Sequence, residues 1–219
     1  MSLTSRITHH ASRFTHHTSR FTFDILLVGV GGQGVLSIGE IVAEAACRRS
    51  IPVNLYPIKG MAQRGGFVKA QVRLGREVTG PNIPQKGADL VIAMERSEAL
   101  KAVRFVRPGG DFVLFDHVWV PMAVMLGKAD YPTPEQVSEQ IQEAGGRMHY
   151  LAPESLPLYK GVPVPANIFV LGAAVGHTRL ADVLSPSDIV QIVQTKWTRS
   201  TERNVFAFQA GLEASIQEP

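Results

Sequence analysis

The most constraining feature of this sequence is a glycine-rich turn between a run of apolar residues and an amphipathic segment. Residues 23–30 (FDILLVGV) are almost all apolar, as expected of a parallel strand that is covered on both faces. Residues 29–34 (GVGGQG) have the G-x-G-x-x-G spacing, and residues 35–49 then place apolar side chains at helical intervals. Strand, glycine turn and helix in this order predict the first βα unit of a doubly wound α/β fold.

Strands and helices alternate along the rest of the chain. Apolar runs predict strands at residues 53–56, 67–74, 89–93, 111–115 and 148–151. Apolar spacing and capping signals predict helices at residues 97–105, 134–144, 168–175, 188–195 and 202–214, with Asn167 as one N-cap and Pro108-Gly109-Gly110 as a stop. We therefore expect a single three-layer, Rossmann-like domain over residues 23–219, with a mostly parallel sheet and helices on both faces.

The first 22 residues differ from this domain. Residues 5–22 repeat a seven-residue unit (SRITHHA, SRFTHHT, SRFT) that has one apolar residue per unit, too few for a coiled-coil seam. We interpret residues 1–22 as a disordered or appended tail, in which the paired histidines leave adventitious metal binding open.

Composition excludes several classes of function. Three of the 22 basic residues lie in the tail, where no acidic residue occurs, so the remaining 19 balance the 19 acidic residues and no nucleic-acid partner is expected. The single cysteine, Cys47, cannot hold an iron–sulfur cluster, which usually needs four thiolates. Neither a membrane-spanning apolar run nor a signal peptide is apparent, so we expect a cytoplasmic protein without a membrane partner.

The glycine turn taken alone indicates an anion site, because it points backbone N–H groups outward at the positive end of a helix dipole. A dinucleotide site also requires an acidic residue about 20 residues further on, at the end of the second strand. That strand carries Asn54 instead, and no acidic residue occurs between Glu44 and Glu77. A stand-alone NAD or flavin oxidoreductase is therefore disfavoured.

A second glycine-rich loop, residues 59–66 (KGMAQRGG), connects two predicted strands. Its glycines permit positive φ or close backbone approach, and Arg64 is suited to gripping a carboxylate or a phosphate. The loop lies within residues 48–76, which contain seven basic residues and no acidic one. Such a stretch favours an acidic partner or a phosphate, or else it is a solvated cationic face. The candidate binding residues of the loop are Gly60, Gln63, Arg64, Gly65 and Gly66.

Four motifs together resemble the gamma subunit, or gamma domain, of the 2-oxoacid:ferredoxin oxidoreductases. They cover roughly residues 23 to 214 in the order of that family: GVGGQGV at 29–35, QRGG at 63–66, NIFVLGA at 167–173 and ERNVFAF at 202–208. The sequence GMAQRGG at residues 60–66 is similar to that of the corresponding loop in the small (beta) subunit of indolepyruvate oxidoreductases. Pyruvate-type relatives tend instead to carry YGPE ahead of RGG. This motif favours an aryl or branched 2-oxoacid as the substrate.

The resemblance implies a subunit of an enzyme that oxidatively decarboxylates a 2-oxoacid, such as pyruvate, 2-ketoisovalerate or indolepyruvate, to an acyl-CoA and passes the electrons to ferredoxin. Thiamine diphosphate, Mg and [4Fe-4S] clusters are then expected on thiamine- and ferredoxin-type partner subunits, and the isolated chain is expected to be inactive, with no catalytic residue or metal site of its own. Alone, such a subunit would expose an apolar or glycine-rich surface on which a homodimer can form.

Coenzyme A is the candidate ligand for this chain. Backbone donors at Gly31, Gly32, Gln33 and Gly34 would hold it, with Arg64 as the charge. Gly29 and Asn167 complete the candidate site. An independent Rossmann-like nucleotide- or coenzyme-A-binding module or regulator remains the alternative.

Overall fold

A computed structural model describes residues 21–60, 66–77 and 79–216 of the chain. Most of the N-terminal repeat and the loop residues Gln63, Arg64 and Gly65 lie outside these ranges. Within them, no helix is long and apolar enough to cross a membrane.

Six strands form one sheet, and two short strands form a separate hairpin. The strands are β1 (Phe23–Val30), β2 (Val53–Lys59), β3 (Phe67–Leu74), β4 (Ala88–Ala93), β5 (Val106–Phe115), β6 (Arg147–Leu151), β7 (Leu158–Tyr159) and β8 (Val162–Pro163). The order in the sheet is β2-β3-β1-β4-β5-β6. β1, β4, β5 and β6 pair in parallel, whereas β3 runs antiparallel to both of its neighbours. The prediction of a mostly parallel sheet is confirmed.

Helices cover both faces of the sheet. They are α1 (Val35–Arg48), α2 (Arg96–Ala102), α3 (Met122–Met125), α4 (Pro134–Glu143), α5 (Ala166–His177), α6 (Pro186–Lys196) and α7 (Thr201–Leu212). One apolar cluster joins a face of the sheet to α1, α5, α6 and α7. A second cluster joins the opposite face to α2 and α4. The predicted three layers are therefore present.

Two predicted features are wrong. Asn167 is not an N-cap: α5 begins at Ala166 with Pro165 as its cap, so Asn167 lies in the first helical turn. The Pro108-Gly109-Gly110 segment does not precede a strand but lies inside β5, which starts at Val106. The strand passes through this segment because Gly109 adopts a φ of 71° and donates its N–H to the Gly145 oxygen at 2.7 Å.

The register between β1 and β3 is fixed by a buried ion pair. Asp24 and Arg73 are direct partners on the two strands. Nε and Nη2 of Arg73 donate to the Asp24 carboxylate at 3.0 and 2.9 Å, and both side chains are buried. Since a buried carboxylate is stable only when it is paired, any slip of the register would expose an uncompensated charge to the core.

α5 and α7 approach each other closely because glycines stand at their contact. A Cβ atom at Gly211 would collide with the carbonyl oxygen of Phe169, and one at Gly172 would collide with that of Phe208. No flexible side chain can yield at these points, because the obstructing atoms belong to the backbone. The helix pair therefore admits only glycine there.

The variant Gly211→Ala is expected to lower the free energy of unfolding by at least about 1–3 kcal/mol, the usual cost of overpacking a core. The matched control is Gly80→Ala, since nothing lies within 4 Å of a Cβ at Gly80. Denaturant unfolding of the three proteins tests this, and an equal effect of both substitutions would contradict it.

Asp111, at 1% side-chain exposure, is the centre of a second charge cluster, at the amino edge of the parallel strands. Arg147 donates to its carboxylate at 2.9–3.0 Å, His149 Nε2 lies 3.2 Å away and Arg179 Nε 3.4 Å away. Burial by itself raises the pKa of Asp111, but the hydrogen bonds of His149 and of the Arg179 N–H and the charge of Arg147 outweigh it and lower the pKa to about 2. The cluster ties β5, β6 and the turn after α5 together.

Because the pKa of Asp111 is lower in the folded protein than the ordinary 3.8, its contribution to stability is present above about pH 4 and is lost as the pH falls towards 2. The variant Asp111→Asn should lower the free energy of unfolding at pH 7 by on the order of 2 kcal/mol. Thermal unfolding from pH 7 to pH 3 should show the wild-type and variant melting temperatures converging below pH 4. A difference that does not change with pH would contradict this role.

Candidate glycine-turn cleft

The glycine turn connects β1 to α1 at the carboxyl edge of the parallel strands. Gly34 is the N-cap of α1 and adopts the left-handed conformation with φ 74° and ψ 20°. Its oxygen accepts the N–H of Ile38 at 3.2 Å, and α1 then continues for 14 residues with its amino end directed at the turn. The first N–H groups of such a helix have no partner within the helix, as an anion site requires.

The side chain of Gln33 turns inward and fills the crevice between β1 and β4. Its Oε1 accepts the Val30 N–H at 2.9 Å, and its Nε2 donates to the Met94 oxygen at 2.7 Å. A Cβ at Gly29 would lie 2.6 Å from the Gln33 Oε1, 2.8 Å from Val35 Cγ2 and 3.0 Å from Met94 Cβ, so a side chain there would displace the Gln33 amide and crowd two further residues. The chain departs in opposite directions from β1 and β4, so Gln33 occupies the switch point at which a doubly wound fold ordinarily binds its ligand.

Asn167 lies against the other side of the turn. A Cβ on Gly34 would come within 2.5 Å of the Asn167 Nδ2, so the side-chain amide occupies the space that only a glycine leaves free. The first turn of α5 thereby packs on the amino end of α1. The structure brings these two motifs into contact, although not through the helix cap that the sequence predicted.

Two of the four proposed backbone donors are already used within the chain. The Gly31 N–H donates to the Gly66 oxygen at 2.8 Å, and the Gln33 N–H donates to the Val30 oxygen at 3.3 Å. In the described part of the chain, the N–H groups of Gly32 and Gly34 have no acceptor. These two groups, with the first N–H groups of α1, are left to hold an anion.

A cleft of about 290 Å³ opens between this turn and the β2–β3 hairpin. Its walls are Val30, Gly31, Gly32, Gly34, Val35, Leu36, Ser37, Lys59, Gly60, Gly66, Phe67 and Val68. Gly60 and Gly66 flank the hairpin, where the Gly60 N–H donates to the Phe67 oxygen at 2.7 Å. Gly31, Gly32 and Gly34 of the turn therefore meet Gly60 and Gly66 in one cleft, whereas Gly29, Gln33 and Asn167 do not line it.

Among the described walls of this cleft, Lys59 is the basic residue, and the sequence analysis did not select it as a binding residue. It ends β2, is exposed, and has no ion-pair partner among the residues that the structure describes. Because β2 runs in the same direction as β1, Lys59 reaches the same edge of the sheet as the glycine turn. In sequence order it ends the second strand, where a dinucleotide-binding chain carries an acidic residue, so the sequence alone could have pointed to Lys59.

In a dinucleotide-binding fold the second strand is adjacent to the first, but here β2 is not adjacent to β1. β3 separates β2 from β1, and Asn54 lies early in β2, where its Nδ2 donates to the Arg76 oxygen at 2.9 Å. Asn54 therefore does not occupy the ribose-binding position that the sequence analysis gave it. NAD is disfavoured further, because Gln33 fills the β1–β4 crevice and β2 is not adjacent to β1.

Most of the basic stretch of residues 48–76 is neutralised within the fold. Carboxylates pair with four of its members: Arg48 with Glu44, Arg49 with Asp188, and both Arg73 and Arg76 with Asp24. Lys69 lies over the Phe105 ring at 4.5 Å, and burial together with the charge of Arg104 lowers its pKa. Of the described basic residues in the stretch, Lys59 is the one that faces the cleft.

Comparison with known proteins agrees with this fold. Residues 24–214 match the family described as pyruvate ferredoxin/flavodoxin oxidoreductase. Indolepyruvate oxidoreductase subunit IorB of Methanothermobacter thermautotrophicus is 33% identical over 195 residues, which are 89% of this chain and 98% of the relative.

Two solved structures share the architecture. Pyruvate oxidoreductase subunit PORC of Thermotoga maritima aligns with a TM-score of 0.64 at 21% identity, over 88% of this chain and 96% of its own. The 2-oxoglutarate:ferredoxin oxidoreductase of Magnetococcus marinus, solved with 2-oxoglutarate, coenzyme A and succinyl-CoA, aligns with a TM-score of 0.59 at 19% identity. That alignment covers 90% of this chain and 32% of the Magnetococcus chain.

The family match over residues 24–214 and the 33% identity to IorB, over 98% of its length, confirm the resemblance that the four motifs predicted. This chain belongs to the pyruvate ferredoxin/flavodoxin oxidoreductase family.

Proposed function

We propose that this chain is the gamma-type subunit of a multi-subunit 2-oxoacid:ferredoxin oxidoreductase. The observation that carries the proposal is the alignment with an indolepyruvate oxidoreductase subunit, which spans 98% of that relative and so includes the whole subunit. The complex would decarboxylate a 2-oxoacid oxidatively, form an acyl-CoA and transfer the electrons to ferredoxin. Indolepyruvate is the favoured substrate class, because the chain is 33% identical to IorB and because the sequence of the second glycine-rich loop is similar to that of indolepyruvate oxidoreductases.

The chemistry of the oxidation would belong to the partner subunits. A chain with one cysteine cannot supply four thiolates to an iron–sulfur cluster. Thiamine diphosphate and its metal would likewise be bound by the partner chain. The contribution of this subunit is then to bind and position a ligand at the carboxyl edge of its sheet.

Coenzyme A is the ligand that best fits the cleft. Its pyrophosphate would lie on the free N–H groups of Gly32 and Gly34 at the amino end of α1, with the Lys59 ammonium opposite. A volume of about 290 Å³ holds one end of coenzyme A and leaves the remainder outside the cleft. When bound, coenzyme A supplies the thiol that accepts the acyl group. The occurrence of coenzyme A in the Magnetococcus enzyme, which shares the fold, supports this choice.

The role of Gln33 in the proposal is to shape the cleft and not to touch the ligand. Because its amide is held by Val30 and Met94, it closes the β1–β4 crevice and leaves the β2–β3 side as the open one. Arg64 would add a second cation from the hairpin loop. Both glycine loops would thus approach the same phosphate groups from opposite sides.

Co-expression with the chains encoded by the neighbouring genes tests the assignment as a subunit. Native mass spectrometry should show a stable complex of this chain with a thiamine-binding chain, and the complex should reduce ferredoxin in the presence of a 2-oxoacid and coenzyme A. A chain that stays alone or forms only homodimers under these conditions would favour the independent coenzyme-A-binding module.

The cleft is tested by titration calorimetry of coenzyme A against the assembled complex. Lys59→Gln and Arg64→Ala should each weaken the affinity by about threefold to tenfold, since each removes one charge-assisted contact with a phosphate. The matched control is Lys86→Gln, an exposed lysine just before β4 and hence at the opposite edge of the sheet. If both cleft variants bind coenzyme A with unchanged affinity, the coenzyme A assignment is contradicted, whereas the assignment as a subunit is not affected.

A further inference from the structure

A second cavity lies beside α2, on the face of the sheet opposite to α1. This space, the α2 cavity, has a volume of about 280 Å³, and its walls come from β1, β3, α2 and the turn that follows α2. Among the described residues, Phe67 is the one that it shares with the glycine-turn cleft. The two cavities therefore have separate linings.

The α2 cavity exists because the helical layer on this face stops at β1. The second apolar cluster contains residues of β1, β4 and β5 but none of β2 or β3. Side chains alternate along a strand, and Ala70 and Val72 of β3 belong to the first cluster, so the odd-numbered residues of β3 face this side. The edge of the helical layer and the uncovered part of β3 form a step, and the cavity lies in it.

The apolar part of the lining consists of two aliphatic side chains of β1, one alanine and two aromatic rings. Leu26 and Val28 are almost completely buried, whereas the Phe67 ring is 38% exposed. Ala102 and Phe105 complete this part of the lining. Walls of this kind offer water few hydrogen bonds, so they favour a ligand with an apolar body.

The polar side chains of β3 on this face differ in their partners. Gln71 Oε1 accepts the Ile83 N–H at 2.7 Å, and Arg73 binds the Asp24 carboxylate. Lys69 has neither an ion-pair partner nor a hydrogen-bond acceptor in the part of the chain that the structure describes. It is also the polar residue of β3 that lines the α2 cavity.

Two cations of this lining lie over one aromatic ring. Lys69 Nζ is 4.5 Å from the centre of the Phe105 ring, and Arg104 Cζ is 5.0 Å from it. Burial of the ammonium and the charge of Arg104 lower the pKa of Lys69, so the fold holds this charge at a cost. Among the described residues, Arg104 has no carboxylate partner either. An anion bound between the two cations would relieve both the desolvation and the repulsion.

The chain does not supply that anion from the surrounding residues. Glu98 is the carboxylate of the described lining, and its Oε1 is already paired with Lys101 Nζ at 2.7 Å. Residues 61–65, which precede Gly66 and β3, contain no acidic residue. The lining therefore has an excess of positive charge that an external anion would balance.

We infer that the α2 cavity binds a small aromatic anion, a single ring with a carboxylate or phosphate group held between Lys69 and Arg104. Both cations donate charge-assisted hydrogen bonds to such a group, and the phenylalanine rings offer contacts to the ring of the ligand. A cavity of about 280 Å³ is at the small end of ligand sites, which suits one ring. The site does not depend on the proposed function.

The test is a titration of the full chain, labelled with ¹⁵N, with phenylacetate and with phenyl phosphate, followed by amide chemical shifts. Benzyl alcohol, which has the same ring and no charge, is the reference. At least one of the two anions should bind tenfold or more tightly than benzyl alcohol, and the tighter one identifies the anionic group. If neither anion binds more tightly than benzyl alcohol, the inference is overturned.

Substitution of the two cations locates the bound anion. Lys69→Gln and Arg104→Gln should each weaken the affinity for the tighter anion by about threefold to tenfold and leave that for benzyl alcohol unchanged. The matched control is Lys160→Gln, because Lys160 pairs with Glu202 of α7, a helix on the other face of the sheet. Melting temperatures check the fold, and Arg104 is exposed, so its variant gives the result even if Lys69→Gln does not fold. Anion affinities that are unchanged in Arg104→Gln, or weakened equally in Lys160→Gln, would contradict the site.

Acetylation of lysines gives a second measurement on the unsubstituted chain. A saturating concentration of the tighter anion should slow the acetylation of Lys69 at least threefold and leave that of Lys160 unchanged in the same sample, as measured by peptide mass spectrometry. The physical reason is that an ammonium group held by an anion is less often the free amine that reacts. If the anion binds and Lys69 is not protected, the anion lies elsewhere and the inference is wrong.

Discussion

The burial of β1 on both faces and along both edges is the constraint from which the rest of the structure follows. All eight residues of the strand are buried, with β3 and β4 hydrogen-bonded on either side and a helical layer above and below. A strand so enclosed can carry a polar side chain only if the fold supplies its partner, and Arg73 of β3 supplies it to Asp24. From the buried strand the chain emerges at the carboxyl end of β1, and the glycine turn lies at that point.

The side chain of Gln33 closes the crevice in which a doubly wound fold ordinarily binds its ligand, so the open cleft lies on another side of the glycine turn. In a doubly wound fold the crevice between the two strands at the switch point is open to a ligand. Here the amide of Gln33 satisfies one N–H of β1 and the oxygen of Met94, so the crevice is closed by the protein itself. The antiparallel β3 moves the second strand outward and brings Lys59 to the edge. The open cleft consequently lies on the β2–β3 side, with fewer backbone donors than the motif suggests and a cation in place of an acid.

Local patterns were sufficient to predict the framework of the domain. Continuous apolar runs locate the strands, and the helix predicted at residues 188–195 is observed as α6, which begins at Pro186 after a capping box between Ser185 and Asp188. Pattern could not show that Asn167 packs on Gly34, because that contact joins residues 133 positions apart and depends on how α5 crosses α1. Nor could it distinguish arginines that pair with carboxylates, such as Arg73, from the exposed Lys59, since both stand in one acid-free stretch. The orientation of Gln33 was equally hidden, because the motif records its presence and not the direction of its side chain.

Two loops at the carboxyl edge of the sheet, the glycine turn and the loop after β5, are each held by buried or partly buried polar side chains. Behind the cleft, Gln33 satisfies the Val30 N–H of β1 and the Met94 oxygen after β4. In the loop after β5, the Trp119 N–H and the Tyr131 hydroxyl donate to the buried Glu95, and Arg96 and Tyr150 donate to the buried Asp116. Each of these groups holds a loop that leads out of the sheet. At both places a buried or partly buried polar side chain therefore takes up hydrogen bonds that the loop cannot make with the sheet.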